Sequence, residues 1–351
     1  VTRIAAVRGA LPPHRYPQAE ITETFAAMCL PAGADRRVLN RLHASARVDT
    51  RHLALPLDHY AKLDDFGAAN DAYLDVAVEL AAEATESALG AAGLSARDVD
   101  LIVFTTVTGI AVPSIDARLV GRLGLRPDVK RLPVFGLGCV AGAAGIARVH
   151  DYLRGWPEHV ALLVSVELCS LTLQRADASM ANLVAGALFG DGAAAVVACG
   201  DARTGPGHGP RVVSSRGRMY PDSGRVMGWD VGGSGFRIVL GSDVPDVVRE
   251  YLGGDVRAFL AEHELTAADI TAWVCHPGGP KVLEAVAETL ELPAGALDLT
   301  WRSLAATGNL SSTSVLHVLR DTMAARPEPG TSGLMIAMGP GFCSELVLLE
   351  W

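Results

Sequence analysis

The chain repeats itself at an interval of about half its length, and a duplicated half narrows the possible folds more than any single motif does. Gly93-Leu94-Ser95-Ala96-Arg97-Asp98-Val99 leads into the apolar run Leu101–Phe104. Glu264-Leu265-Thr266-Ala267-Ala268-Asp269-Ile270 leads into Thr271–Val274 at an offset of 171. Each reads as a helix end, a tight link and a strand. Gly138-Cys139 opens a small-residue helix running to about Arg154, and Gly308-Asn309 opens another running to about Arg320, at an offset of 170. These helices lead to strands at Ala161–Glu167 and Leu334–Met338. Three matches at nearly one offset imply a duplicated α/β half. The seam falls in the Gly- and Pro-rich stretch 200–209, where no regular element can persist. The expected division is an N-terminal half, 1–205, and a C-terminal half, 206–351. Val160–Val166 and Ala193–Ala198 are continuously apolar, as strands buried on both faces under helices would be. The segment before residue 75 reads as extra material, mostly helical and polar.

Composition removes several function classes. Half of the 351 residues are hydrophobic and 20% are charged, which excludes a disordered chain. A net charge of −9 gives no electrostatic footprint for nucleic acid, although local basic patches for anionic ligands stay open. The most apolar segment, Met180–Cys199, is interrupted by Phe189-Gly190-Asp191-Gly192, and no stretch reaches the roughly 18 apolar residues of a spanning helix. The first residues lack a basic region, an apolar run and a cleavage site. The expectation is a soluble, cytoplasmic protein. Six scattered cysteines without a C-x-x-C pair indicate neither a zinc site nor a disulfide framework.

Three residues carry candidate chemistry. Cys139 follows a strand expected to be buried, Arg131–Phe135, and the turn Gly136-Leu137-Gly138. A thiol at a helix N-terminus has its thiolate stabilised by free backbone N–H groups and the helix dipole. The alternative is a buried cysteine packed as a small hydrophobe. His276 ends the strand Thr271–Cys275 and enters Pro277-Gly278-Gly279-Pro280, which puts an imidazole at a strand tip, where α/β folds border ligand crevices. Asn309 is the repeat counterpart of Cys139, read either as a helix N-cap or as an amide donor to an oxyanion. A thiolate that holds an acyl group, with an imidazole and an amide to stabilise an enolate as CO2 leaves, describes a decarboxylative Claisen condensation. The order Cys, His, Asn also occurs in papain-like proteases, but their local sequence around the cysteine is absent and the duplication would go unexplained.

With these residues in place the chain resembles the bacterial type III polyketide synthases of the chalcone synthase superfamily. The motifs are Gly136-Leu137-Gly138-Cys139-Val140-Ala141-Gly142, Ala187-Leu188-Phe189-Gly190-Asp191-Gly192-Ala193, His276-Pro277-Gly278-Gly279-Pro280-Lys281, Gly308-Asn309-Leu310-Ser311-Ser312 and Gly339-Pro340-Gly341. The resemblance implies a thiolase fold, two similar halves in five αβαβα layers, in a homodimer. It implies CoA thioesters, acyl-CoA and malonyl-CoA, as substrates, with no metal and no bound cofactor. Cys139 becomes the nucleophile, and His276 and Asn309 assist decarboxylation. Phe189 is similar to a gatekeeper between CoA tunnel and cavity, its other reading being a core phenylalanine. Phe236 resembles a second gatekeeper in a segment that aligns poorly. The Gly339-Pro340-Gly341 loop would shape the cyclisation cavity, although Ala337-Met338 stand before it where many relatives have Gly-Phe. For CoA phosphates the basic cluster Arg36, Arg37, Arg41, Arg47 and Arg51 is the candidate, with Arg41 the chosen contact and a solvated helix face the alternative.

Alignment with the family puts Thr108, Val112 and Cys169 on the cavity wall. Val112 stands where plant enzymes often have methionine. Smaller walls leave room for an alkyl chain, each buried CH2 contributing about 0.8 kcal/mol. The pattern is similar to alkylresorcinol and alkylpyrone synthases, and the expected starter is a long fatty acyl-CoA. Tetrahydroxynaphthalene-type synthases, which use malonyl-CoA alone, often carry cysteine where Val107 stands and are the alternative. A ketoacyl-ACP synthase III-like enzyme and a non-catalytic acyl-CoA-binding relative are the remaining rivals. Val112-Pro113 is expected to reach across the dimer, and Ser311, Thr172 or Thr108 to take part in ring closure.

Overall fold

The computed structural model describes every residue except 1, 176 and 204–208. The chain runs β1 (Thr2–Ala10), β2 (His14–Pro17), α1 (Gln18–Cys29), α2 (Arg37–Ser45), β3 (Thr50–Leu53), α3 (Phe66–Ala92), β4 (Leu101–Thr106), α4 (Ile115–Leu123), β5 (Lys130–Phe135), α5 (Ala141–Gly155), β6 (Val160–Leu168), α6 (Met180–Leu188) and β7 (Asp191–Gly200). It continues with β8 (Arg211–Met219), β9 (Met227–Gly232), β10 (Gly235–Leu240), α7 (Val244–Ala261), β11 (Ile270–Cys275), α8 (Pro280–Thr289), α9 (Asp298–Thr307), α10 (Ser314–Ala325), β12 (Ser332–Gly339) and β13 (Cys343–Glu350).

The sequence repeat is a structural repeat. β4 pairs parallel with β6, and β6 antiparallel with β7; β11 pairs parallel with β12, and β12 antiparallel with β13. The strand order β11-β12-β13-β8-β1-β7-β6-β4-β5 is therefore near-palindromic about β8 and β1. Among the described residues the halves pair there at Thr2↔Val212 and Arg3↔Arg211. The chosen seam, 205/206, lies outside the described residues. The two linking motifs fold alike for one chemical reason. Asp98 accepts from the N–H and hydroxyl of Ser95 at 2.9 and 2.7 Å, and Asp269 from those of Thr266 at 2.8 and 2.7 Å. Each carboxylate closes a short 3₁₀ turn and delivers the chain into β4 or β11.

Burial divides the molecule into five layers, αβαβα. α3 packs on β1, β4, β6 and β7 in one apolar cluster. α7 and α8 pack on β11, β12 and β13 in another. Between the sheets lie α5 and α10, which share a third cluster with strands of both halves. Every residue of β6 is buried, as the continuous apolar run implies. Each fully buried Val or Leu contributes about 1.5–3 kcal/mol, so this strand is a rigid base for whatever its C-terminal end presents. The small residues of α5 permit the central packing: a Cβ on Gly142 would lie 2.3 Å from the Ser312 carbonyl oxygen, and one on Gly145 would lie 2.6 Å from Leu163.

Two local expectations fail. β5 is an exposed edge strand rather than a buried one, with Leu132 and Phe135 open to solvent. It lies next to β4 alone, with no neighbour on its other side. The segment before residue 75 is not mostly helical: β1 is a central strand whose Ile4 and Val7 are buried. Its alternation of large apolar residues with Arg and Gly concealed that.

Candidate active site

The repeat delivers two turns to one place. Cys139 lies in a 3₁₀ turn, Gly138–Val140, immediately before α5. Asn309 lies just before the 3₁₀ turn Ser311–Thr313 that precedes α10. It caps neither helix: its Oδ1 accepts from the Ser311 N–H at 2.8 Å, and its Nδ2 donates to the Gly278 carbonyl at 3.4 Å. His276 follows β11, its N–H donating to the Ile336 carbonyl at 2.9 Å. Cys139, His276, Asn309 and Phe189 line one narrow chamber. Both ring nitrogens of His276 are buried without a protein partner, which leaves them for substrate and thiol.

Phe189 is fixed by its backbone. Its N–H donates to the Ala185 carbonyl at 3.0 Å, and its own carbonyl accepts from Arg51 Nη1 at 2.8 Å. An isolated bridge ties Phe189 to Asn309. The ring belongs to the narrow chamber and equally to a wider one, and Cys139 and Met227 are shared as well. Phe189 thus stands where the two chambers meet. The wider chamber holds Thr108, Cys169, Thr172, Ser311 and Pro340 from the expected wall. Gly339 and Gly341 act through the backbone. A Cβ on Gly339 would lie 2.7 Å from the Val140 nitrogen, and Gly138, at φ +58°, is pressed against Pro340, so the Gly339-Pro340-Gly341 loop braces the turn that carries Cys139.

The electrostatics are those of a closed, dry site. Burial pushes the Cys139 thiol up to about 12; the nearby Glu167 adds to this, and hydrogen bonding with Ser311 and Asn309 opposes it. Desolvation opposes the stabilisation of a thiolate expected at a helix N-terminus. Burial also holds His276 down at about 3, so its imidazole is neutral. The resting pair is thiol and free imidazole, and the imidazole can take the thiol proton as an acyl group arrives.

Several expected residues lie elsewhere. Val112, in the segment between β4 and α4, is 92% exposed and is not on the wall of this chain's cavity. Phe236 is buried among Phe66, Phe135 and Trp229 and borders a separate cavity. Ile238, two residues further along β10, lines the chamber that holds Cys139. Arg41 is exposed on α2 and lines neither chamber. Arg36, Arg37 and Arg47 pair with Glu23, Asp35 and Glu284, and the buried Arg51 donates to Gln18 and to the Phe189 carbonyl.

Sequence reasoning missed Glu167, Trp229 and Tyr60. Glu167 Oε1 accepts from Ser311 and Ser312 at 3.3 and 2.5 Å, and its Oε2 accepts from the Val107 N–H and Thr108 at 3.0 and 2.9 Å. The Cys139 thiol donates to Ser311 at 3.7 Å, so one hydroxyl connects the carboxyl to the thiol. The available signal was a lone acid in an otherwise apolar, wholly buried strand. Trp229 and Tyr60 both line the wider chamber, and Trp229 Nε1 donates to the Val107 carbonyl at 2.9 Å.

Comparison with known proteins gives a consistent family. Models for the N-terminal and C-terminal domains of chalcone and stilbene synthases match residues 1–202 and 211–350. The chain is 63% identical over 353 residues to 1,3,6,8-tetrahydroxynaphthalene synthase of Streptomyces peucetius subsp. caesius, covering 100% of this chain and 93% of that one. It is 32% identical to a putative chalcone synthase of Bacillus subtilis, covering 99% and 98%. The crystal structure of 1,3,6,8-tetrahydroxynaphthalene synthase from Streptomyces coelicolor superposes with a TM-score of 0.93 at 29% identity, covering 99% of each chain. The protein belongs to the chalcone and stilbene synthase family and is a type III polyketide synthase, an acyltransferase that condenses CoA thioesters on a thiolase-like fold.

Proposed function

We propose that the protein builds an aromatic polyketide from malonyl-CoA alone, as a tetrahydroxynaphthalene-type synthase. The observation that carries this reading is the 63% identity to the Streptomyces peucetius enzyme across the whole chain. It replaces the expectation of a long fatty acyl starter. That expectation rested partly on the small Val112, which adds no volume to this chain's own cavity. The wall also carries the bulky Trp229, Tyr60 and Phe25, which occupy space an alkyl chain would need.

In this reading Cys139 takes the first acyl unit as a thioester, with His276 accepting the thiol proton. A malonyl-CoA then enters the narrow chamber. Its thioester oxygen faces His276 and Asn309, whose N–H groups stabilise the enolate left when CO2 departs. The enolate carbon attacks the Cys139 thioester, the thiolate leaves, and the chain lengthens by two carbons. Five malonyl-CoA give a ten-carbon tetrahydroxynaphthalene, with five CO2, five CoA and one water released. We also propose a homodimer: Val112, Ile110, Leu132 and Phe135 are exposed on and beside the open edge of β5, a surface that a second copy would cover.

The test is a product profile. Purified protein is given malonyl-CoA alone, then malonyl-CoA with a long acyl-CoA, and products are identified by mass spectrometry. A ten-carbon tetrahydroxynaphthalene from malonyl-CoA alone supports the reading. Cyclic products only when the long acyl-CoA is present refute it.

A further inference from the structure

We propose that Tyr60 and Ser170, backed by Asp191, form a proton relay on the wall of the wider chamber, and that this relay drives closure of the carbon rings. The proposal rests on the aromatic-product reading above.

The three residues come from separate segments. Tyr60 lies in the 3₁₀ turn Leu57–Lys62, Ser170 in the 3₁₀ turn Cys169–Thr172 after β6, and Asp191 begins β7. Asp191 Oδ1 accepts from the Ser170 N–H at 2.8 Å. Its Oδ2 accepts from the Ala54 N–H at 2.6 Å and also takes the Ser170 hydroxyl proton in a short hydrogen bond. Ser170 Oγ and Tyr60 Oη are 2.5 Å apart. Because the Ser170 proton points at Asp191, the Tyr60 proton points at Ser170. The Leu55 N–H donates to Tyr60 Oη at 3.3 Å, and a phenol oxygen retains one further lone pair. Every donor is oriented from Tyr60 through Ser170 to Asp191. Asp191 is 0% exposed and Tyr60 4%, so bulk water does not compete for these bonds. Burial pushes the Asp191 carboxyl up to about 6, with Arg51 pulling the other way, which suits a proton acceptor working near neutral pH.

Location separates this relay from the condensation machinery. Tyr60 and Ser170 line the wider chamber and not the narrow one that holds His276 and Asn309. Chain building uses the narrow chamber repeatedly, while the grown chain must fold in the wider one. Both also border an adjoining polar cavity rimmed by Asp64, Asp65 and Arg175. Bracing the backbone would require only Asp191 and its two N–H donors. It gives no reason to place a tyrosine hydroxyl on the serine.

The chemistry balances. A methylene flanked by two carbonyls loses its proton to Tyr60 Oη as the Tyr60 proton passes to Ser170 and the Ser170 proton to Asp191. The carbanion forms the new C–C bond at a ketone carbon, whose C=O π bond breaks. The resulting alkoxide recovers the proton by the reverse shift. Loss of water then yields the aromatic ring, and no oxidant or reductant is needed.

The test compares wild type, Tyr60→Phe, Ser170→Ala and Ser170→Thr, each supplied with malonyl-CoA. It measures carbocyclic product per CO2 released, together with lactones and hydrolysed open chains. Tyr60→Phe and Ser170→Ala are expected to lower carbocycle per CO2 by about tenfold or more, with lactones accumulating, and Ser170→Thr to restore the ratio. An unchanged ratio in Tyr60→Phe overturns the proposal, and that variant decides alone if Ser170→Ala does not fold. Wild type separates the two claims. A different carbocycle from wild type refutes the naphthalene reading while the relay is still judged on the ratio; lactones alone from wild type refute both.

Discussion

Replacing Glu167 with glutamine removes one buried proton site and leaves the shape of the cavity. The wild-type carboxyl accepts five hydrogen bonds, from the Val107 N–H and the hydroxyls of Thr106, Thr108, Ser311 and Ser312. Burial outweighs them and pushes it from 4.5 to about 7. A folded state that holds its proton to higher pH than the unfolded chain is favoured by acid. This contribution is complete below pH 4.5 and is lost as pH rises through 7. With each tenfold change in proton affinity worth about 1.4 kcal/mol, the loss over that window is about 3 kcal/mol. Glutamine has no proton to release, so the stability of Glu167→Gln relative to wild type should rise by about 3 kcal/mol from pH 4.5 to pH 7.5. Urea unfolding of both proteins across this range measures it, and the difference cancels other titrating groups such as Asp191. A second readout follows from the thiol. Glu167 helps to push Cys139 up, so Cys139 in Glu167→Gln should be alkylated faster at pH 8. Parallel stability curves for the two proteins would refute the assignment of a buried, titrating carboxyl behind the nucleophile.

Three further outcomes are expected. Because burial holds His276 near 3, turnover between pH 5 and 8 should show no inflection from an imidazole; an inflection near 6.5 that disappears in His276→Gln would contradict this. In Gly142→Ala the new Cβ would meet the Ser312 carbonyl oxygen at 2.3 Å, so urea unfolding should show a loss of about 1–3 kcal/mol, and unchanged stability would mean that α5 and α10 are less tightly apposed. Trp229→Gly removes an indole from the wider chamber and should let the enzyme start from medium-chain acyl-CoAs; a substrate range identical to wild type by mass spectrometry would exclude Trp229 as a size limit.

Much of the architecture was legible because the duplication wrote it twice. Ser95 with Asp98 and Thr266 with Asp269 are local signals that fold the same way wherever they occur. The apolar runs of β6 and β7 disclosed strands buried on both faces. Cys139 and Asn309 were legible as counterparts, and His276 as a strand tip. What failed was burial that depends on sheet order. Nothing in Lys130–Phe135 says that no strand lies beyond it, and β1 carries Arg3, Arg8 and Gly9 in a central position. The desolvation of the thiol was illegible for a related reason. A helix N-terminus is visible in sequence, whereas the desolvation that opposes it comes from elements distant along the chain.

The same contrast explains why reaction class was readable and product was not. Cys139, His276 and Asn309 stand at turns fixed by the repeated α/β unit, so the duplication alone sets their convergence. The residues that limit the cavity come from segments outside the repeat. Phe25 is on α1, Tyr60 in the turn after β3, and Trp229 on the β9–β10 hairpin. None has a counterpart in the other half, and each reaches the chamber through tertiary packing: Trp229 by its bond to the Val107 carbonyl, and Phe25 by filling the space above Gly186. A wall inferred by aligning short segments therefore included Val112, which lies outside this chain's own cavity, and Phe236, which borders the adjoining one, and overlooked the indole. The convergence of Cys139, His276 and Asn309 is encoded in what the halves share, and the shape of the wider chamber in what they do not.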